Sequence, residues 1–151
     1  MSEQRERPAR VNRRRFIGHV AGATVLGGVV TLPAQASNVA LARSAFEGLA
    51  KGEPDQVLRA LDAGVRWQAV AGRGADRATT LDRRGATSYV QQMARSIASG
   101  ERKLEVISVE PDGDAVKVVS AWSGAGARAE HCANVVRFAD GKVVSVTEAA
   151  Q

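Results

Sequence analysis

The feature that most constrains this sequence is a pair of β-branched runs on either side of Asp140-Gly141. Before it stands Glu130-His131-Cys132-Ala133-Asn134-Val135-Val136-Arg137-Phe138-Ala139, and after it Lys142-Val143-Val144-Ser145-Val146-Thr147-Glu148. Asp-Gly accepts positive φ at both centres of a two-residue turn, so the stretch predicts a long β-hairpin. With Ala139 paired to Lys142, counting outward sets Phe138 opposite Val143, Val136 opposite Ser145, Val135 opposite Val146 and Ala133 opposite Glu148. This register puts His131 and Glu148 on one face as diagonal neighbours, roughly 6 to 8 Å apart, among Val135, Val144 and Val146. A carboxylate and an imidazole brought together on a branched apolar face are the natural candidates for a polar pocket floor. The competing reading is a strand-end Glu that reaches solvent beside a His that merely packs.

Upstream, helical spacing of Val39, Ala42, Phe46 and Leu49 predicts a helix over residues 38 to 51 that stops at Gly52. Pro54 opens a second short helix carrying Val57, Leu58 and Leu61, which ends near Gly64. Residues 65 to 70 read as a strand. Arg73, Arg77, Arg83 and Arg84 fall in a stretch read as a solvated loop. Thr87 or Ser88 then caps a third helix with Val90, Met93, Ala94 and Ile97 along one side and Gly100 at its end. Leu104 to Glu110 and Ala115 to Trp122 flank Pro111-Asp112-Gly113-Asp114, a second hairpin signal. Its expected register puts Ile107, Val109, Val116, Val118 and Trp122 on one face, and Leu104, Val106, Val119 and Ala121 on the other. Both faces are apolar, so one should take the helices and the other a second copy of the chain or a pocket wall. The fold class expected is α+β: a curved, mostly antiparallel sheet wrapped around three N-terminal helices.

Residues 1 to 36 read as an address. Asn12-Arg13-Arg14-Arg15-Phe16-Ile17 is similar to the twin-arginine export motif, with Arg13, Arg14 and Phe16 as its signal residues, and Ala34-Gln35-Ala36 forms a small-x-small cleavage site. The expectation is export through the twin-arginine translocon to the periplasm or beyond, with residues 37 to 151 as one mature domain; an uncleaved N-terminal anchor is the alternative. Six of the 21 Lys and Arg lie in that leader, which leaves the mature part near charge balance. The high overall pI is therefore no argument for nucleic acid as a partner. Cys132 is the sole cysteine, which excludes an intramolecular disulfide. No metal-ligand spacing or dinucleotide fingerprint occurs, so neither a metal nor any other cofactor is expected.

Leu49-Ala50-Lys51-Gly52-Glu53-Pro54-Asp55 with Val65-Arg66-Trp67, and the closing hairpin from Glu130 to Glu148, resemble the nuclear transport factor 2-like superfamily in its SnoaL-like and ketosteroid isomerase-like branch. The resemblance spans nearly all of residues 38 to 149. It implies a cone-shaped fold with a pocket between sheet and helices and an acid near the end of the last strand, where Glu148 stands. Trp67, Gln68, Asn134, Val135 and Val146 are the expected ligand contacts, and Glu148 with His131 the candidate catalytic pair. The isomerase set of a base with two acidic hydrogen-bond donors is not reproduced, because the one tyrosine, Tyr89, lies in the third helix. Three functions follow as expectations. The first is a non-catalytic module that binds a small apolar molecule, commonly as a homodimer. The others are a proton-transfer enzyme of isomerase or cyclase type with Glu148 as base, and an accessory subunit of another exported complex.

Overall fold

The computed structural model describes residues 33–70, 79–124 and 126–151, and divides the chain into two units, residues 1–34 and 35–151. All that follows concerns the second unit. The signal residues Arg13, Arg14 and Phe16, and the loop arginines Arg73 and Arg77, lie outside the described residues. Ala34 and Ala36 fall within the helical stretch 33–50.

That stretch is α1. Ala42, Ala45, Phe46 and Leu49 form its buried stripe, at the three- and four-residue spacing that keeps side chains on one helical face. The helix stops as expected at Gly52, whose φ of 78° lets its N–H turn back to Leu49 O at 2.8 Å. Helix α2 (Asp55–Ala60) buries only Val57, and the chain passes straight from it into β1 (Leu61–Ala69), four residues earlier than the sequence suggested. A short strand β2 (Thr79–Leu81), invisible in the sequence pattern, precedes α3 (Arg83–Ala98). The helix is capped by Asp82, whose side chain accepts from Gly85 N at 2.9 Å. Thr87 and Ser88 are therefore interior residues of α3, and Arg83 and Arg84 belong to its first turn rather than to a loop. Aspartate is as good an N-cap as threonine or serine, and the earlier cap wins because it lets Ala86, Tyr89, Val90, Met93 and Ala94 make one buried stripe.

Strands β3 (Lys103–Asp112), β4 (Ala115–Gly124), β5 (Ala127–Ala139) and β6 (Lys142–Ala150) form the meander. The sheet order is β2-β1-β6-β5-β4-β3, antiparallel except where β1 runs parallel to β6. The fold is thus α+β, a curved and unclosed six-stranded sheet around helices. Four register shifts interrupt its ladders, and each extra residue on one strand adds bend and twist. Val65, Trp67, Val116, Val118, Trp122, Val136 and Val146 point inward from the sheet onto the stripes of α1 and α3.

Two of those shifts change which residues face inward. In the β3–β4 ladder the irregularity between Val106 and Ser108 puts Leu104, Val106 and Val109 on the same inner side and leaves Ile107 51% exposed. The sequence-based register had grouped Ile107 with Val109 and set Leu104 and Val106 apart. In the β5–β6 hairpin, Asp140 and Gly141 adopt the expected positive φ (51° and 74°), and Ala139 pairs with Lys142 and Phe138 with Val143. Beyond Phe138 the register slips by one, so Val136 faces Val146 and Asn134 faces Glu148. A one-residue slip exchanges the two faces of everything beyond it.

Candidate functional site

Glu148 is only 8% exposed and enters the interior from β6. Trp67 Nε1 on β1 donates to its Oε1 at 2.9 Å. Its Oε2 accepts from the backbone N–H of Val70 at 3.2 Å and from the Tyr89 hydroxyl on α3 at 3.1 Å. Trp67 and Tyr89 meet edge to face, ring centroids 5.9 Å apart, so the donors that hold the carboxylate also brace one another. Three elements distant in sequence are therefore tied together at one carboxylate. Among the described residues, no lysine or arginine pairs with it.

Next to Glu148 on the same inner face stand Asn134, directly across the ladder, and Ser120 on β4. Both are deeply buried, and Asn134 Oδ1 and Ser120 Oγ have no hydrogen-bond partner among the described residues. Unsatisfied polar atoms in an interior are uncommon because each forfeits its hydration without return. Here both line one small cavity with Glu148, Phe46, Leu49, Trp67, Tyr89, Met93, Leu104 and Trp122. The cavity measures about 10 Å³, on the order of a single water. The pocket between sheet and helices that the sequence suggested is, at this cavity, a tight one. Tyr89 and Met93 also line an open groove of about 430 Å³ between the C-terminal half of α3 and the start of β3. Arg102 belongs to that groove and lies over the Trp122 ring, 5.0 Å from its centroid, so Tyr89, Met93 and Trp122 form the wall between groove and cavity.

Of the residues singled out in the sequence, Glu148, Trp67 and Asn134 converge at this cavity. Val146 faces inward too, but lines an apolar pocket beside α1 with Phe46 and Val136. His131 does not join Glu148: it pairs across the ladder with Ala121 and is exposed on the outer face, because the slip inserts Val144 on β6 and so carries Glu148 to the inner face, while β5 alternates undisturbed. Val135 stands half-buried on that outer face for the same reason. Gln68 is exposed, next to Trp67 but on the opposite side of β1. Tyr89, which helical position had discounted, supplies a donor. The periodicity of α3 already aligned it with Val90 and Met93, and only the way the sheet curls over the helix brings it to Glu148. Cys132 is fully buried on the inner face. No cluster of metal-ligating side chains occurs among the described residues.

Comparison with known proteins fits this geometry. The SnoaL-like domain family matches residues 42–146. No curated protein is significantly similar in sequence. Among solved structures, a nuclear transport factor 2-like protein of unknown function from Mesorhizobium loti aligns with a TM-score of 0.65 at 10% identity, covering 78% of this chain and 93% of that one. A putative ketosteroid isomerase from Kribbella flavida aligns at 0.59 with 21% identity, covering 76% and 78%. A de novo designed protein with a curved β-sheet reaches the same 0.59 at 17% identity, covering 76% and 85%. A designed scaffold matching as well as a putative enzyme shows that these likenesses speak of the fold alone. The family match covers more than half of the chain and, with the cone of sheet and helices just described, establishes that the protein belongs to the SnoaL-like domain family.

Proposed function

We propose that this chain is a non-catalytic binding domain for a small, mostly apolar molecule, with the cavity at Glu148 as the inner end of its site. The observation that carries this reading is the hydrogen bonding of Glu148. A carboxylate offers about four acceptor positions, and three are occupied by donors fixed on β1, at the end of β1 and on α3. A general base must leave its acceptor position open to a substrate proton and then tolerate that proton. A carboxylate clasped by three donors is instead a positioned acceptor that holds Trp67 and Tyr89 in place. Proton-transfer chemistry of isomerase type, suggested by the likeness to a putative ketosteroid isomerase, would have to run through the single acceptor position that these three donors leave on Glu148.

Both tryptophans of the chain, Trp67 and Trp122, line the cavity, so their emission reports on it. Titration with a panel of phenyl compounds bearing hydrocarbon, alcohol, ketone and amine heads is expected to give a saturable emission change for at least one member. 3-Cyclohexen-1-one, whose conversion to the conjugated enone reports proton transfer by absorbance, is expected to isomerise no faster than in buffer. Acceleration of that conversion, lost in Glu148→Ala, would establish the enzymatic reading. A flat response to every compound would remove the ligand site altogether.

We further propose that the domain is exported through the twin-arginine translocon and works as a homodimer. The arginine pair Arg13-Arg14 supports the first. The outer face of the sheet supports the second: Ile107 is exposed there beside half-buried Val119, Ala121 and Val135. Arg13→Lys with Arg14→Lys keeps the leader's charge and is expected to abolish export. The exported wild type is expected to begin at Ser37 and to scatter light as a particle of twice the chain mass at micromolar concentration. Undiminished secretion of the double variant would refute the first part and a monomeric mass the second, while co-purification with another exported protein would favour the accessory-subunit role.

A further inference from the structure

The inner cavity and the outer groove differ in size by more than an order of magnitude, about 10 against 430 Å³, yet share Tyr89 and Met93 as lining residues. A ligand spanning both would put a head group no larger than a water molecule inside and its body outside. What that head must be follows from the atoms left without partners. Trp67 Nε1, Val70 N and the Tyr89 hydroxyl are spent on Glu148. Asn134 Oδ1 is an acceptor with nothing to accept, and Ser120 Oγ has lone pairs free. Glu148 retains the last of its acceptor positions. The floor therefore offers three acceptors, one of them a carboxylate, against the single O–H donor of Ser120, and the wall is aromatic: Phe46, Trp67, Tyr89 and Trp122 are four of the six aromatic residues of the chain.

A keto or ether head brings no donor and would leave Asn134 Oδ1 unpartnered, and a carboxylate head would face Glu148 with like charge. A hydroxyl brings one donor. A primary ammonium brings three donors and no acceptor, in the volume of one water, and it also offsets the Glu148 charge among aromatic rings that attract cations. Trp122 already carries one such contact on its groove side, from Arg102.

We infer that the cavity recognises a primary ammonium head, bonded to Glu148, Asn134 Oδ1 and Ser120 Oγ, on an organic body that lies in the groove between α3 and the start of β3. The assignment rests on the reading of this interior as a ligand site and adds to it the chemical class of the ligand. Access runs between Tyr89 and Met93. The flexible Met93 side chain is the one that yields most easily, since an unbranched thioether changes rotamer at little cost.

The test uses three compounds of one shape, 2-phenylethylamine, 2-phenylethanol and propylbenzene, titrated against tryptophan emission of the full chain below pH 8, where the amine is charged. The amine is expected to bind at least tenfold more tightly than the alcohol, and the hydrocarbon more weakly still. Ser120→Ala removes only a hydroxyl that has no hydrogen-bond partner among the described residues, so it leaves the fold intact, and it is expected to weaken amine binding about tenfold while leaving propylbenzene unchanged. Asn134→Leu, close in volume, is expected to do the same, with circular dichroism to verify that it folds. Alcohol or hydrocarbon binding as tight as the amine, or amine binding unaltered in Ser120→Ala, would overturn the ammonium assignment and leave the ligand site standing. No saturable change with any of the three would overturn both.

Discussion

Glu148→Ala is expected to lower stability by about 3 to 5 kcal/mol, because it removes the shared acceptor of three donors, two of them in buried bonds. Trp67 Nε1, Val70 N and the Tyr89 hydroxyl all end on this one carboxylate, and alanine offers no acceptor in its place. In a domain of this size that loss corresponds to a fall in Tm of roughly 10 to 20 °C. Glu148→Gln is expected to fall between wild type and Glu148→Ala. Trp67 Nε1–H can only donate, so the amide must keep its oxygen toward Trp67 and turn its NH2 toward Val70 and Tyr89. The Tyr89 hydroxyl can rotate to accept, but the Val70 N–H cannot and is orphaned. Tyr89→Phe removes a single donor and is expected to cost only about 1 kcal/mol. In a double-mutant cycle, Tyr89→Phe should cost much less on a Glu148→Ala background than alone. Thermal melts of the four proteins decide the matter: a Tm for Glu148→Ala within 2 °C of wild type would show that the cluster is not what joins β1, β6 and α3.

The sequence carried the architecture and part of the site, and the parts it missed share one physical origin. Turn chemistry is local, so Asp140-Gly141 and the Gly52 stop could be read directly from their residues. The register beyond the turn could not. The run Val143-Val144-Ser145-Val146 carries valine at both parities, so alternation does not choose between the two pairings. The choice falls to the curvature the sheet needs to wrap α1 and α3, expressed as the irregularity at Arg137–Phe138. That single displacement, an extra residue on β6, carried Glu148 to the inner face opposite Asn134 and left His131 on the outer one, so one half of the candidate pair was legible and the other was not. The same cause explains Ile107, exposed by the irregularity at Val106–Ser108. Tyr89 illustrates a second limit. Its place on the buried stripe of α3 is periodicity, but its bond to Glu148 links residues 59 apart in sequence. Nothing in the spacing of either segment encodes that distance, whereas the three-donor clasp becomes plain once sheet and helix are in contact.

Gly124→Ala should be the most damaging glycine substitution in the described fold, and its effect should reach the groove. Gly124 has a φ of 132°, a conformation that side chains with a Cβ rarely adopt. A Cβ built there would collide with the Glu101 carbonyl oxygen and stand 2.9 Å from Arg102 Cα. Those are backbone atoms, so no rotamer change relieves the contact, and the start of β3 has to move away from the end of β4. The expected cost is roughly 3 kcal/mol, combining strained backbone with overpacking. Arg102 is the residue whose guanidinium lies over Trp122, so displacing its backbone should uncover that ring and change tryptophan emission along with the melt. Gly113→Ala provides the comparison. That glycine also has positive φ, at 60°, but nothing stands within 4 Å of a Cβ there, so only the conformational penalty of about 1 kcal/mol remains. Equal Tm losses for the two variants would mean that the close approach of Gly124 to Glu101 and Arg102 contributes nothing. A larger loss for Gly124→Ala with tryptophan emission unchanged would separate the stability of the β3–β4 junction from the wall of the groove.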